Sequence, residues 1–142
     1  MSARVADLAD AVMNDINGQA WSQTFAAERG YLPRFKLVEL TTLRVLVVPK
    51  SEVESVASRS TTQREFGIDV GVLKKLDTDD NPEMDALVAL TDELKEHMRG
   101  KRFSSPQALW RGTAHEPIYD PTQLQENKTF FSVITFNFLM FN

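Results

Sequence analysis

The sequence predicts a single α/β domain of the α+β kind, with a mixed, mainly antiparallel sheet of about four or five strands and two main helices packed on it. Three observations support this prediction. Two segments repeat apolar residues at helical spacing, several runs are alternating or continuously apolar as strands are, and no internal repeat is visible. The 142 residues suit one domain, so we expect residues 1–142 to share one core.

The composition excludes several classes of protein. Apolar residues make up 42% of the chain and charged residues 25%, as in ordinary globular proteins. The chain has no cysteine, which excludes disulfides, thiolate metal sites and a cysteine nucleophile and favours synthesis in the cytoplasm. A formal charge of −4 disfavours tight binding of nucleic acid. The apolar stretch 130–141 is too short for a membrane-spanning helix, so no membrane partner is expected.

The first 48 residues predict a helix followed by strands. Apolar residues recur at positions 5, 8, 9, 12, 13 and 16, and Asn17-Gly18 would end this helix. Residues 21–25 alternate as a short strand does. Residues 35–48 are rich in leucine, valine and threonine. Within them the run LRVLVV predicts a strand buried on both faces, and Pro49 marks its end.

Residues 50–64 predict a long mobile loop, because serine, threonine and charged residues dominate and few large apolar groups anchor the segment. A loop of this length in a compact domain is usually functional or disordered, so partner contacts are expected here and on the strand that follows. The candidate contact residues are Ser58, Arg59, Ser60, Thr61, Thr62, Gln63, Arg64, Gly67, Asp69 and Gly71.

Residues 66–73 predict a strand with one apolar face and one bare face, since apolar residues alternate with Gly67, Asp69 and Gly71. Its bare face needs a cover from either the N-terminal helix or a neighbouring subunit. An acidic turn follows, with Asn81 as a helix cap and Pro82 in the first turn. The helix that begins there carries an apolar stripe of Met84, Leu87, Val88, Thr91, Leu94 and Met98.

The last third of the chain predicts two more strands. Residues 108–114 form the first, and a rigid connection with two prolines, Pro117 and Pro121, leads to the second. Residues 130–141 are apolar on both faces, which is typical of a strand in the middle of a sheet or beneath a neighbouring subunit.

Few residues suggest chemistry. His97 and His115 have no metal-site spacing, and His97 near a helix end is more simply a partner of the helix dipole. The acidic turn lacks the glycine and glutamate of a calcium loop, so Asp77, Asp79 and Asp80 are assigned to helix capping and no cofactor is expected. One alternative stays open. A small enzyme or ligand-binding module would place its pocket at His115, Glu116, Tyr119 and Asp120.

Three stretches together resemble a known family. They are LRVLVVPK, SRSTTQREFGIDVGVLKKL and EPIYDPTQLQENKTFFSVITFNFLMFN. The chain resembles the tail terminator, or tail completion, proteins of tailed bacteriophages, which join the tail to the neck. The resemblance covers about four-fifths of the chain.

This resemblance implies a virion structural protein without enzymatic activity. It implies a homo-oligomeric, hexameric ring at the end of the tail tube, with the tail tube protein on one side and the neck or connector protein on the other. Synthesis in the host cytoplasm and a final place in the virion follow from it. DNA would only pass through such a ring, and a modest negative charge suits that passage.

Overall fold

A computed structural model describes residues 3–31, 37–78 and 80–141. Asp79, which the sequence assigns to the acidic turn, lies outside this part. The elements in chain order are helix α1 Arg4–Asn17, strand β1 Ala27–Arg29, a 3-10 helix Leu37–Thr41, strands β2 Arg44–Val56 and β3 Thr62–Lys75, helix α2 Asn81–Met98, strands β4 Arg102–Ser104 and β5 Gln107–Ala114, helix α3 Pro121–Asn127 and strand β6 Thr129–Phe141.

The strands form one six-stranded sheet in the order β1-β2-β3-β6-β5-β4. β1 runs parallel to β2, and every other neighbouring pair is antiparallel. The predicted mixed, mainly antiparallel sheet is confirmed, but it has six described strands instead of four or five, and the short α3 is a third helix. β6 lies between β3 and β5, as its two apolar faces predicted.

The hydrophobic core lies between the two long helices and one face of the sheet, which we call the helix face. β3 contributes Phe66, Ile68, Val70 and Val72 to this core, all fully buried, as the alternation predicted. Both predicted helical stripes pack there too. The buried residues are Leu8, Ala9, Val12 and Ile16 of α1 and Leu87, Leu90, Thr91, Leu94 and Met98 of α2, of which Leu90 was not in the predicted stripe.

The opposite face of the sheet carries Gly67, Asp69 and Gly71, and we call it the glycine face. Of the two covers that the sequence left open, α1 is excluded, because α1 packs on the helix face beside α2. The inner part of the glycine face lies near the 3-10 helix instead. Arg44, which shares this face, donates from Nε to the carbonyl oxygen of Glu39 at 3.2 Å. Gly71 is buried between Leu46 and its partner on β6.

The predicted long loop 50–64 is also wrong, because β2 and β3 continue through it as an antiparallel hairpin. The strands pair as far as Val56 and Thr62, which leaves only residues 57–61 for the turn. Pro49 does not end β2. Pro49 lies at a β-bulge, where the register of β2 with β3 shifts between Pro49 and Ser51. It also lies beyond Val47, the last β2 residue that pairs with β1. The missing N–H of Pro49 therefore removes no backbone hydrogen bond between β2 and β1.

Two smaller expectations also fail. Residues 21–25 are not a strand, because the indole N–H of Trp21 donates to the carbonyl oxygen of Ile16 at 2.9 Å and folds this segment against the end of α1. Asn81 is the first residue of α2 and not its cap. The turn before α2 is held by the Glu83 carboxylate, which accepts hydrogen bonds from the backbone N–H groups of Asp77 and Thr78 at 2.8 and 2.9 Å.

Candidate functional site

The predicted contact residues fall on two parts of the β2–β3 hairpin. Ser58, Arg59 and Ser60 form its exposed turn, which is closed by backbone hydrogen bonds from Ala57 and Ser58 to the carbonyl oxygen of Thr61, at 3.0 and 3.1 Å. The turn therefore has a defined shape and projects from the end of the sheet. Among the residues predicted as contacts, these three are the most accessible.

The strand residues next to the turn are less accessible than predicted. Thr62, Gln63 and Arg64 belong to β3 and are half-buried. The Arg64 side chain is only 12% exposed and lies on the helix face, 3.8 Å from a carboxylate oxygen of Glu52 and 3.6 Å from one of Glu54. Arg64 therefore joins the two strands of the hairpin and presents little surface to a partner.

Gly67 permits a close approach of the two hairpin strands. A Cβ atom added at Gly67 would collide with the hydroxyl of Ser51 on β2. Ser51 stands opposite Gly67 just after the β2 bulge. Gly67 is buried and is therefore a packing residue in the isolated chain, and its role as a partner contact stays a prediction.

Asp69 is held within the sheet by polar contacts. The hydroxyl of Thr135 donates to an Asp69 carboxylate oxygen at 2.6 Å, and the ammonium of Lys50 lies 3.8 Å from the same oxygen. The Asp69 side chain is 19% exposed. These contacts join β2, β3 and β6 across the glycine face and leave Asp69 with a structural role in the isolated chain.

The outer half of the glycine face carries a row of side chains that the sequence did not single out. Because the strands are in register, one residue from each of five strands lines up across the sheet. We call this set the distal row, and its members in order are Val53 of β2, Glu65 of β3, Leu139 of β6, Leu109 of β5 and Arg102 of β4. Val53 is 61% exposed and Leu109 39%.

A groove lies at the β4 and β5 end of the distal row. Its volume is about 230 Å³, and it is lined by Arg102, Gln107, Ala108, Leu109, Leu139 and Phe141. We call it the apolar groove. Phe141 is 53% exposed at its rim, an unusual position for a large aromatic side chain. The two-faced apolar pattern of 130–141 did predict apolar groups here, although it could not show that they stay uncovered.

The outer edge of the hairpin is the second exposed feature. β1 pairs with β2 only from Val45 to Val47, so the edge of β2 beyond that point faces no described strand. Residues 50–56 are all exposed. Such an edge presents backbone N–H and C=O groups that can pair with another chain, and charged residues limit indiscriminate pairing. Here those residues are Lys50, Glu52 and Glu54.

The alternative site around His115 is divided by the sheet. His115 lies on the helix face, where its Nε2 is 2.7 Å from the Ser132 hydroxyl and its Nδ1 is 3.1 Å from the ammonium of Lys95. Glu116 and Asp120 instead line a small cavity of about 110 Å³ with Phe131 and Val133 of the glycine face. The predicted pocket therefore does not form as one site.

The hydrogen bonds of Ser132 direct its proton away from His115. The Ser132 hydroxyl donates to the carbonyl oxygen of Ile118 at 2.6 Å, so it accepts from His115 Nε2–H. A general base for serine would need the reverse arrangement. Burial, followed by the charge of Lys95, lowers the pKa of His115, and this keeps the ring neutral near pH 7.

The remaining residues of that alternative are structural. An Asp120 carboxylate oxygen accepts from the backbone N–H groups of Thr122 and Gln123 and caps α3. Tyr119 packs against the core. The second histidine, His97, lies 2.7 Å through Nε2 from an Asp15 carboxylate oxygen and joins α2 to α1, so its partner is a side chain and not the helix dipole alone.

The chain matches no protein-family model and no curated protein sequence. Within residues 3–31, 37–78 and 80–141, no helix is long and apolar enough to cross a membrane. The same residues contain no group of three or more histidine, aspartate or glutamate side chains arranged to hold a metal ion.

Proposed function

We propose that this chain is a structural protein of a tailed bacteriophage that forms a homo-oligomeric, hexameric ring, terminates the tail tube and joins it to the neck. The family resemblance of the three sequence stretches suggests this function. The observation that carries it is the exposure of the distal row and the apolar groove at the same end of the sheet as the projecting hairpin. Exposed apolar patches of this kind are typical of interaction surfaces.

A ring of identical copies requires head-to-tail contacts between two different surfaces of the subunit. The chain offers two such surfaces, the edge of β2 and the apolar groove, at opposite ends of the distal row. The exposed turn at Ser58, Arg59 and Ser60 then remains for the tail tube protein or the neck protein. In this proposal, DNA passes through the ring without sequence-specific contacts, and the subunit catalyses no reaction.

Binding of the purified chain to isolated tail tubes tests this function. Gold-labelled chain mixed with tubes that lack their own terminator should appear in electron micrographs at one end of each tube. The variant Phe141→Asp places a charge in the apolar groove and should abolish this end-labelling. Ile118→Asp is the matched control, because Ile118 is also exposed, at 48%, but lies outside the groove.

Two results would contradict the proposal. One is gold label along the sides of the tubes, and the other is no label on tubes at any concentration at which the chain stays soluble. End-labelling that survives Phe141→Asp would show that the ring function does not need the apolar groove.

A further inference from the structure

We propose that a cleft between the end of α2 and β5 is a binding site for a phosphate group, either free or carried by a small ester such as a nucleotide. The cleft lies on the helix face, away from the distal row and the apolar groove. Its volume is about 420 Å³, within the range of about 300–1,000 Å³ that is usual for small-molecule sites. We call it the basic cleft, and it is lined by Lys95, Arg99, Trp110, Gly112, Thr113 and His115.

The formal charges that line the basic cleft are positive. Lys95 lies in the last turn of α2 and Arg99 directly follows that helix. Their carboxylate partners, Asp92 and Glu96, line a different cavity beside Trp21. Both carboxylates are 68% exposed, and exposed ion pairs of this kind contribute little to stability. The two cations can therefore turn toward a bound anion at a small cost.

His115 holds the ammonium of Lys95 at the basic cleft. Its Nε2–H donates to the Ser132 hydroxyl, so its Nδ1 is an acceptor, and the ammonium lies 3.1 Å from Nδ1. The ring therefore takes one of the three ammonium N–H groups and leaves the others for Asp92 and for a ligand. A donor that is held in place before binding loses less conformational entropy when the ligand arrives.

A bulge in β5 forms the opposite wall of the basic cleft. The register of β5 with β6 shifts between Trp110 and Gly112, so Arg111 is an extra residue. Residues three apart in a regular strand face opposite sides, but this bulge places Trp110 and Thr113 on the same side. The indole N–H of Trp110 donates to the Thr113 hydroxyl at 2.9 Å. No described residue accepts the proton of that hydroxyl, so it can donate to a ligand.

This set of donors suits a phosphate group better than a carboxylate. An ammonium, a guanidinium and a hydroxyl approach the cleft from α2 on one side and from β5 on the other. A carboxylate offers two oxygens in one plane, whereas a phosphate monoester offers three oxygens and a charge of about −1.5 to −2 near pH 7. Arginine and lysine are the usual side chains that bind phosphate. Trp110 adds a flat ring on which a nucleobase can stack.

The fluorescence of Trp110 tests this site. The chain has two tryptophans, so Trp21→Phe leaves Trp110 as the only one. Adenosine monophosphate should change its emission in a saturable way, and adenosine, which lacks the phosphate, should bind about tenfold more weakly or worse. Inorganic phosphate should compete, and tighter binding of adenosine monophosphate than of phosphate would identify an ester as the ligand. Isothermal titration calorimetry of the unaltered chain makes the same comparison without the substitution.

A variant of the cleft and a matched control complete the test. Arg99→Gln should weaken the binding of adenosine monophosphate about tenfold. Its melting temperature should not change, because the Arg99 side chain is 62% exposed. Lys75→Gln removes an exposed positive charge at the end of β3, which β6 separates from β5, and should leave the affinity unchanged.

The outcomes separate this site from the proposed ring. No saturable binding of either phosphate or adenosine monophosphate, equal affinities for adenosine and adenosine monophosphate, or wild-type affinity in Arg99→Gln would each overturn the phosphate site. A glutamate peptide that binds more tightly than adenosine monophosphate would also overturn it and assign the cleft to an acidic protein partner. A chain that binds phosphate but never forms a ring would contradict the proposed function and leave this site intact.

Discussion

The Nε2 atom of His115 lies 2.7 Å from the hydroxyl oxygen of Ser132, and this contact fixes the loop after β5 to the helix face of β6. Since the Ser132 hydroxyl gives its proton to a carbonyl oxygen, His115 must donate from Nε2 and accept at Nδ1. Lys95 occupies the Nδ1 side at 3.1 Å. A protonated ring would present an N–H to that ammonium, so the arrangement selects the neutral form.

Acid should therefore destabilise the fold through His115. Its pKa in the folded chain is lowered from the usual 6.5, so below that pH the unfolded chain binds more protons than the folded chain. The free energy of unfolding should fall as the pH falls from about 6.5 to the folded pKa, and then level off. The backbone of Ile118 and, more weakly, the charge of Asp92 act to raise the pKa of His115, but burial and Lys95 outweigh them.

Urea unfolding at a series of pH values checks this prediction. His115→Gln keeps a donor and an acceptor but does not titrate, so its stability should vary less over the same pH window. His97→Gln is the control, and it should keep the wild-type dependence that comes from His115. Equal pH profiles for wild type and His115→Gln would show that His115 is not responsible.

The close approach of Ser51 and Gly67 gives a second prediction. Gly67→Ala should lower the free energy of unfolding by about 1 kcal/mol, because the new Cβ must displace the Ser51 hydroxyl. Ser51→Ala in the same chain should recover most of this loss. Gly112→Ala is the matched control and should cost little, since an added Cβ there meets no described atom within 4 Å. Equal losses for Gly67→Ala and Gly112→Ala would contradict the packing role of Gly67.

Glu83 gives a third prediction, because one carboxylate organises the turn before α2. Burial opposes its charge, but the hydrogen bonds from Lys74 and from the backbone of Thr78 outweigh burial and lower the pKa of Glu83. Its contribution is present above the usual carboxyl pKa of 4.5 and is lost as the pH falls through the folded value.

Glu83→Ala should lower the free energy of unfolding by about 2 kcal/mol at pH 7, measured by urea unfolding. Glu96→Ala, in the same helix, is the control. The Glu96 side chain is 68% exposed and, among the residues that the structure describes, pairs only with the exposed Arg99. Its removal should therefore change the stability by less than about 0.5 kcal/mol. A Glu83→Ala variant as stable as Glu96→Ala would show that the turn does not depend on this carboxylate.

The elements with a continuous apolar signal were predictable from the sequence. The two long helices, the alternation of β3 and the central place of β6 all follow from side chains that must be buried, and the structure confirms them. The hairpin was not predictable in this way. Residues 50–56 are exposed on both faces of β2, so pairing along the backbone holds them and no apolar period marks them.

The candidate surface was predictable only in part. Sequence patterns pointed to the region of Ser58 to Arg64 and to an uncovered strand face. They could not align Val53 with Leu109, because that alignment depends on the register of four strands. The same limit applies to His115. Its neighbours Lys95 and Ser132 are distant in sequence and meet only when α2 and β6 pack together.

The mass of the purified chain in solution tests the central claim most directly. Sedimentation velocity, run over a hundredfold range of concentration, should show a species of about 97 kDa, six times the 16.1 kDa of one chain. Its share should rise with concentration, as head-to-tail association of identical subunits requires. A single species of 16.1 kDa at every concentration, both alone and with tail tubes present, would contradict the account.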